Sequence, residues 1–390
     1  FDRAVSLNGQ LHSAYMSRAQ MHALQGDFQS AINDCTVAIK ADSHNTIAYV
    51  QRGTVKLYQG DADGAIDDYT VALDLEPQNG ELLRNRGMAY QNKGDHESAL
   101  EDFTAAIALD ARDDVGYTLR GQAKFEIDDI DGALEDFSQA IVLNPNNADA
   151  YAQRAFVRYK QYEDLQTVIG DYTNAISRRE NPDLLHNRGL LHRMNDQYED
   201  AIEDYSVAIK LAPEDAEVYF NRAVAYKLQG NYPAAIADYT RALALAPDDM
   251  DIYYNRGNAY AARGNTQAAI DDYSTVIANQ TSHGKAYFNR GNAYRRLGKL
   301  DEAIQDYNRA QELMPANSMI YNNRGNVRRA LGDLLGAKRD YARATRLSPD
   351  DWVAEHNARN FAPGEAEIED DIDFAEGLDN FSPPPSGFGE

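Results

Sequence analysis

The segment Tyr287–Ala310, YFNRGNAYRRLGKLDEAIQDYNRA, reads as one amphipathic helix followed by a second, with Gly298 between them. One residue is out of character. Arg290 stands between Phe288 and Ala293, where a packed helix would take leucine. An acid, Asp306, follows it sixteen residues later.

The same puzzle recurs along the chain. Arg-Gly pairs stand at Arg52, Arg86, Arg120, Arg188, Arg256, Arg290 and Arg324, and Arg-Ala pairs at Arg18, Arg154 and Arg222. Their spacing is 34 residues or a multiple of it. Ten units follow, starting at residues 12, 46, 80, 114, 148, 182, 216, 250, 284 and 318. Place four carries an aromatic (Tyr49, Tyr219, Tyr253, Tyr287), place eight a small residue, and place twenty Ala (Ala31, Ala65, Ala303). Place twenty-four carries an aromatic again (Tyr69, Phe103, Tyr307), and place thirty-two often Pro (Pro77, Pro145, Pro213).

This pattern resembles the tetratricopeptide repeat (TPR) family, and the resemblance covers residues 12–351 without a break. It implies an all-α fold, a right-handed α-solenoid whose repeats are helix-turn-helix pairs. Elementary physics points the same way. Small residues at places eight and twenty let helices A and B approach closely, and glycines such as Gly60, Gly94 and Gly230 suit the end of helix A. No unit can bury its apolar face alone, so stacking supplies the core. The fifth unit departs from the pattern. It lacks the glycine and places Tyr172 one residue late, so a local distortion is expected between Tyr162 and Gly170.

Every unit has Arg at place seven and Asp just before the helix B aromatic. Three of the ten pairs are Arg256 with Asp272, Arg290 with Asp306, and Arg324 with Asp340. A catalytic pair would occur once, so these are read as structural pairs docking helix B on helix A.

The family resemblance implies that helix A lines the concave surface. Places two, five, six, nine, twelve and thirteen then face inward together. Place six is Asn in five consecutive units: Asn187, Asn221, Asn255, Asn289 and Asn323. An amide offers a donor and an acceptor to a peptide backbone. The run resembles the asparagine ladder by which some long TPR arrays hold extended peptides by their main chain. Asn258, Asn292 and Asn326 stand at place nine, and Phe220, Tyr254 and Phe288 at place five. Arg193, Lys227, Arg295, Arg296 and Arg329 occupy places twelve and thirteen. Together they suit an extended, acidic peptide. The Lys/Asn clamp that family members use for chaperone tails is not matched.

Composition narrows the alternatives. The chain has 390 residues, a net charge of −24, 25 Tyr, one Trp and one Cys. Such acidity argues against a nucleic-acid partner. No apolar run is long enough to span a bilayer, and no internal disulfide can form. The histidines are scattered and make poor metal ligands, so no metal, cofactor or catalytic constellation is expected. A first residue that is Phe rather than Met leaves both a cytoplasmic and a secreted setting open. Sequons at Asn279 and Asn380 matter only in the second.

The ends invite a second reading. Residues 1–11 match the end of a helix B, and 352–361 a helix A without its partner. Residues 46–147 carry 8 basic and 20 acidic groups, whereas residues 284–361 carry 14 and 9. An acidic front and a basic rear favour head-to-tail stacking of copies into a fibre. Residues 362–390 form an acidic tail with no basic group, read either as a ligand for a TPR groove, its own or a neighbour's, or as a solubilising segment.

Overall fold

The 34-residue period dictates ten hairpins, and the computed structural model has them. It describes residues 12–349 and Asn357. The expected partial repeat at 1–11 and the tail at 362–390 lie outside the described residues, as does the expected helix at 352–361 apart from Asn357.

Twenty helices and no strand occupy the described residues. The first unit contains His12–Leu24 and Phe28–Ala41 (α1, α2), Thr46–Tyr58 and Ala62–Leu75 (α3, α4), Gly80–Lys93 and His96–Leu109 (α5, α6), Asp114–Glu126 and Ile130–Leu143 (α7, α8), and Ala148–Lys160 and Leu165–Arg178 (α9, α10). The second contains Pro182–Met194 and Tyr198–Leu211 (α11, α12), Ala216–Leu228 and Tyr232–Leu245 (α13, α14), Met250–Arg263 and Thr266–Asn279 (α15, α16), Gly284–Arg296 and Leu300–Leu313 (α17, α18), and Ser318–Ala330 and Leu334–Leu347 (α19, α20). The compact units divide after Glu180. Within each, helix B packs against its own helix A and against the helix A that follows. The fold is an all-α solenoid of paired helices.

Local chemistry sets the helix ends. Asn45, Asn79, Asp113, Asn147, Asp215 and Asp249 each accept a hydrogen bond from a backbone N–H in the first turn of a helix A. Such caps satisfy donors that the helix itself cannot. Helix A ends at place fifteen with one left-handed residue in all ten repeats. Seven are glycines, with φ from 72° to 89°; the other three are Asp128, Tyr162 and Asp196. Tyr162 lies where the sequence forecasts a distortion. The turn there, residues 161–164, is one residue longer than its counterparts, and the following loop is one shorter, which restores the register.

A left-handed L-residue with a Cβ costs about 1–2 kcal/mol, and only Asn and Asp offset part of it locally. Tyr162 has φ 56° and is exposed. Tyr162→Gly is therefore expected to stabilise the protein by roughly 0.5–1 kcal/mol, after allowing for the glycine's greater unfolded-state entropy. A thermal melt checks this, and a lowered midpoint would contradict it.

The interior of most repeats is the place-twenty alanine and the place-twenty-four aromatic, closed over by the place-eight residue; Cys35 replaces the aromatic in the first repeat, and Val168 and Tyr172 take these roles one residue late in the fifth. Ala65, Ala99 and Ala269 are fully buried, as are Phe103, Tyr239 and Tyr307. A Cβ built on Gly87 would lie 2.5 Å from Cε1 of Phe103, and one on Gly257 would lie 2.7 Å from Cε1 of Tyr273. Where place eight is glycine, the helix B ring therefore stands where a side chain would be, whereas Ala19, Ala155 and Ala223 fill the place in three other repeats.

The recurrent arginine belongs to the same interior. In all ten repeats its Nε donates to Oδ2 of the helix B aspartate at 2.7–2.9 Å, and its Nη2 donates to Oδ1 at 2.6–2.8 Å. Arg256 thus holds Asp272 at 2.9 and 2.7 Å, and Arg324 holds Asp340 at 2.9 and 2.8 Å. Asp272, Asp306 and Asp340 are all buried. The carboxylates hold the guanidinium pKa values of Arg52, Arg86, Arg256 and Arg290 above the ordinary one. The guanidinium of Arg290 also lies 5.7 Å from the ring centres of both Tyr287 and Tyr294, a cation–π contact on each side.

The pairs have further partners of two kinds. Some carboxylates take a second cation: Oδ2 of Asp340 also accepts from Nη1 of Arg328 at 2.7 Å, and Oδ2 of Asp171 from Nη1 of Arg158 at 2.7 Å. A buried carboxylate has more lone pairs than one guanidinium fills, and a base one helical turn further along helix A reaches it. The arginine also has a third arm that was not legible in the sequence. Nη1 of Arg290 donates to Oγ of Ser274 in the preceding repeat at 3.0 Å. Arg52 reaches Thr36 in the same way at 3.1 Å, Arg222 reaches Ser206 at 2.9 Å, and Arg256 reaches Thr240 at 3.3 Å. The arginine therefore joins three helices across a repeat boundary, which explains why leucine would not do.

Candidate functional site

The residues forecast to line an inward face sit differently from the expectation: those at places five, six and nine are mostly buried between repeats, whereas the bases at places twelve and thirteen are half-buried or exposed. The structure brings them together more tightly than helical spacing alone indicates. Asn187, Asn221, Asn255, Asn289 and Asn323 are 2–7% exposed. Most of their amide groups are spent on neighbours. Asn289 Nδ2 donates to Asn258 Oδ1 at 2.9 Å and to the Tyr254 hydroxyl at 3.1 Å. Asn323 Nδ2 donates to Asn292 Oδ1 at 2.9 Å. Asn221 Nδ2 lies 2.9 Å from Nε2 of His186. Asn255 turns back to the Asp251 carbonyl and lies 3.5 Å from Nζ of Lys227. Asn187 Oδ1 has no partner among the described residues.

Repeat stacking is the physical reason. Place six of one repeat reaches places five and nine of the repeat before it, so its side chain is covered by the next layer. Asn357, thirty-five residues after Asn322, donates to Asn322 Oδ1 at 2.9 Å in the same relation.

Place nine has a second duty. Tyr273 donates its hydroxyl proton to Asn258, Tyr307 to Asn292 and Tyr341 to Asn326, at 2.7–2.8 Å. Thr54 lies 3.0 Å from the Tyr69 hydroxyl in the same relation. Opposite Tyr239, place nine is Val224, and the Tyr239 hydroxyl is buried without a partner. A buried polar group left unpaired costs about 1–3 kcal/mol, and a made hydrogen bond gains about 1. Tyr239→Phe is therefore expected to leave the melting temperature unchanged or raise it, whereas Tyr273→Phe lowers stability by about 1 kcal/mol. Parallel melts decide; equal losses in both would show that place nine does not serve the tyrosine.

The apolar members pack inward as well. Phe220, Tyr254 and Phe288 lie 5.7, 6.1 and 6.0 Å from the rings of Tyr239, Tyr273 and Tyr307. Tyr254 and Phe288 are buried and Phe220 half-buried. The basic members lean on the same layer. Arg193 acts electrostatically on the Tyr205 and Tyr239 hydroxyls, Arg295 on Tyr307 and Arg329 on Tyr341. Arg296 Nη1 donates to the Ala261 carbonyl at 3.2 Å. Burial pushes the His186 imidazole down to about 4, so it is neutral at physiological pH. Among the described residues no group of three or more His, Cys, Asp or Glu is placed to hold a metal ion, and no helix is long and apolar enough to cross a membrane.

Sequence reasoning missed one feature of this face. In the first two repeats Leu24, Ile47 and Tyr58 stand at places thirteen, two and thirteen, and each is more than 70% exposed. They border a groove of about 600 Å³. The available signal was Ile47 itself, since place two is Asp183, Glu217, Asp251 and Lys285 in four later repeats.

Models of the tetratricopeptide repeat match residues 50–114, 251–281, 284–317 and 320–351, and a TPR repeat model matches 121–161, 191–230 and 225–264. The chain belongs to the tetratricopeptide repeat family. Among solved structures, the C-terminal part of a TPR repeat-containing protein from Cytophaga hutchinsonii is 15% identical, with a TM-score of 0.51 over 62% of this chain and 98% of its own. A tetratricopeptide repeat protein from Parabacteroides merdae is 21% identical, with a TM-score of 0.41 over 72% of this chain and 97% of its own. YrrB, described as a TPR protein with an unusual peptide-binding site, is 21% identical, with a TM-score of 0.43 over 48% of this chain and 97% of its own. These likenesses concern the TPR fold. No curated protein matches the sequence. A TPR fold supports a protein-interaction scaffold as the broad role.

Proposed function

We propose that this chain is a non-catalytic scaffold that holds an extended peptide or a partner protein on the concave, helix A face of its repeats. The observation that carries the reading is the helix A face of repeats six to ten, where five basic side chains share a side with the place-six asparagine run. The amides of that run are nearly buried and mostly bonded to neighbouring repeats, so they set the shape of this face rather than meet the ligand. Arg193, Lys227, Arg295, Arg296 and Arg329 accompany that run and favour an acidic ligand. The chain's own residues 362–390, with nine acids and no base, supply a ready probe.

A labelled peptide of that sequence should bind a chain ending at residue 361, followed by fluorescence anisotropy. Binding should weaken in high salt and in Arg295→Glu and Arg329→Glu. Absence of binding, or indifference to both charge reversals, rejects the acidic-peptide reading. Asn323→Ala tests the amide run itself, provided that its melting curve is unchanged.

The charge asymmetry along the chain favours a second reading, in which copies stack head to tail and the tail reinforces the joint. Light scattering across concentration, with and without residues 362–390, distinguishes a fibre-forming subunit from a monomeric scaffold.

A further inference from the structure

The groove of the first two repeats differs in chemistry from the asparagine run. Its rim is Leu24, Ile47 and Tyr58, which are 76%, 73% and 75% exposed, and Phe28, Val50 and Val55 form its wall. Three large apolar side chains so close together and so exposed are unusual on a protein's surface. A volume of about 600 Å³ lies within the range that encloses a substantial ligand group. The polar floor is already occupied. Gln51 Nε2 donates to the Met16 carbonyl at 3.2 Å, and Thr54 Oγ1 donates to the Val50 carbonyl and lies 3.0 Å from the Tyr69 hydroxyl. The rest of the lining is mostly apolar.

Charge around the groove points to the rest of the ligand. Residues 12–79 hold four Lys and Arg against nine Asp and Glu. Three of those four bases are already paired: Arg18 with Asp34, and both Arg52 and Lys56 with Asp68. Asp27, which directly precedes Phe28 of the wall, and Asp61, three residues beyond Tyr58, cap the helices that follow, so carboxylates stand beside the groove at that end. Hydrogen bonds from Ser30 hold the Asp27 carboxyl below its ordinary pKa, so it stays ionised. An apolar trough with an acidic border fits an apolar segment flanked by cations.

We propose that the helix A face of repeats one and two is a docking site for a basic amphipathic segment of a partner protein. The segment would seat two or three bulky apolar side chains between Leu24, Ile47 and Tyr58, with Lys or Arg facing the acidic rim. The site rests on the reading that helix A faces take ligands, but not on the asparagine run, and its ligand has the opposite charge.

The test uses the full chain. A phage-displayed library of random twelve-residue peptides is panned on it and counter-selected on the triple variant Leu24→Ser, Ile47→Ser, Tyr58→Ser. The expected peptides carry at least two bulky apolar residues and at least two Lys or Arg. By anisotropy a selected peptide should bind the triple variant at least tenfold more weakly, and should lose several-fold affinity in high salt. Ile47→Lys, a single exposed change, should reproduce most of the loss if the triple variant melts early. Acidic or purely polar winners, or affinities within twofold on both variants, overturn the proposal. Self-association abolished by Ile47→Lys would assign the groove to a second copy and overturn the partner reading. Asn323→Ala and Arg329→Glu should leave this binding intact, so the two sites succeed or fail separately.

Discussion

Arg290→Leu is expected to destabilise the protein by about 3–5 kcal/mol, because it strands a buried aspartate. The Asp306 side chain is 6% exposed and accepts from Nε and Nη2 of Arg290, both at 2.8 Å. The same change also removes the hydrogen bond to Ser274 and the contacts with Tyr287 and Tyr294. Adding Asp306→Leu to Arg290→Leu should recover most of the loss, since replacing a buried ion pair by packed apolar groups is often neutral. Melting curves of the two single variants and the double variant measure the coupling. Equal damage from single and double changes would mean that the pair is not what holds this boundary. Each repeat in such an array contacts only its neighbours, so hydrogen exchange of α17 and α18 should report the loss more sharply than a global melt. The equivalent change at Arg324 should be milder, because Arg328 still reaches Asp340.

Gly87→Val is expected to cost about 2–3 kcal/mol through overpacking against Phe103, which is fully buried. Gly87→Ala should cost less. Repeat seven already carries Ala223 at this place, opposite Tyr239, so a methyl can be accommodated when the ring shifts. The order glycine, alanine, valine is the decisive result. A valine variant that melts with the parent would show that the two helices do not meet there.

Much of this fold is legible because one short unit repeats. The glycine at place fifteen, the alanine at place twenty and the aromatic at place twenty-four each recur at a fixed offset, so one repeat interprets the rest. Even the irregularity at Tyr162 announces itself as a missing glycine and a late tyrosine. The pairing of Arg256 with Asp272, of Arg290 with Asp306 and of Arg324 with Asp340 is legible for the same reason. The contacts between repeats are less so. Helical spacing says on which side Asn289 lies, but not that the preceding repeat comes close enough for Asn258 and Tyr254 to take its amide protons. Ser274 sits in a sequence context that an exposed serine would share. The groove of repeats one and two shows only when Leu24, Ile47 and Tyr58, distant in sequence, are seen along one border. The asparagine run draws attention away from it.

The bridge from Arg52, Arg86, Arg154, Arg222, Arg256 and Arg290 to a hydroxyl of the preceding repeat has an evolutionary consequence. Because Arg52 meets Thr36 much as Arg290 meets Ser274, a joint made by unequal crossing-over between two such units keeps the same partners as the joint it replaces. A duplicated or deleted block of 34 residues would then change the reach of the molecule while leaving the chemistry of its seams as it was.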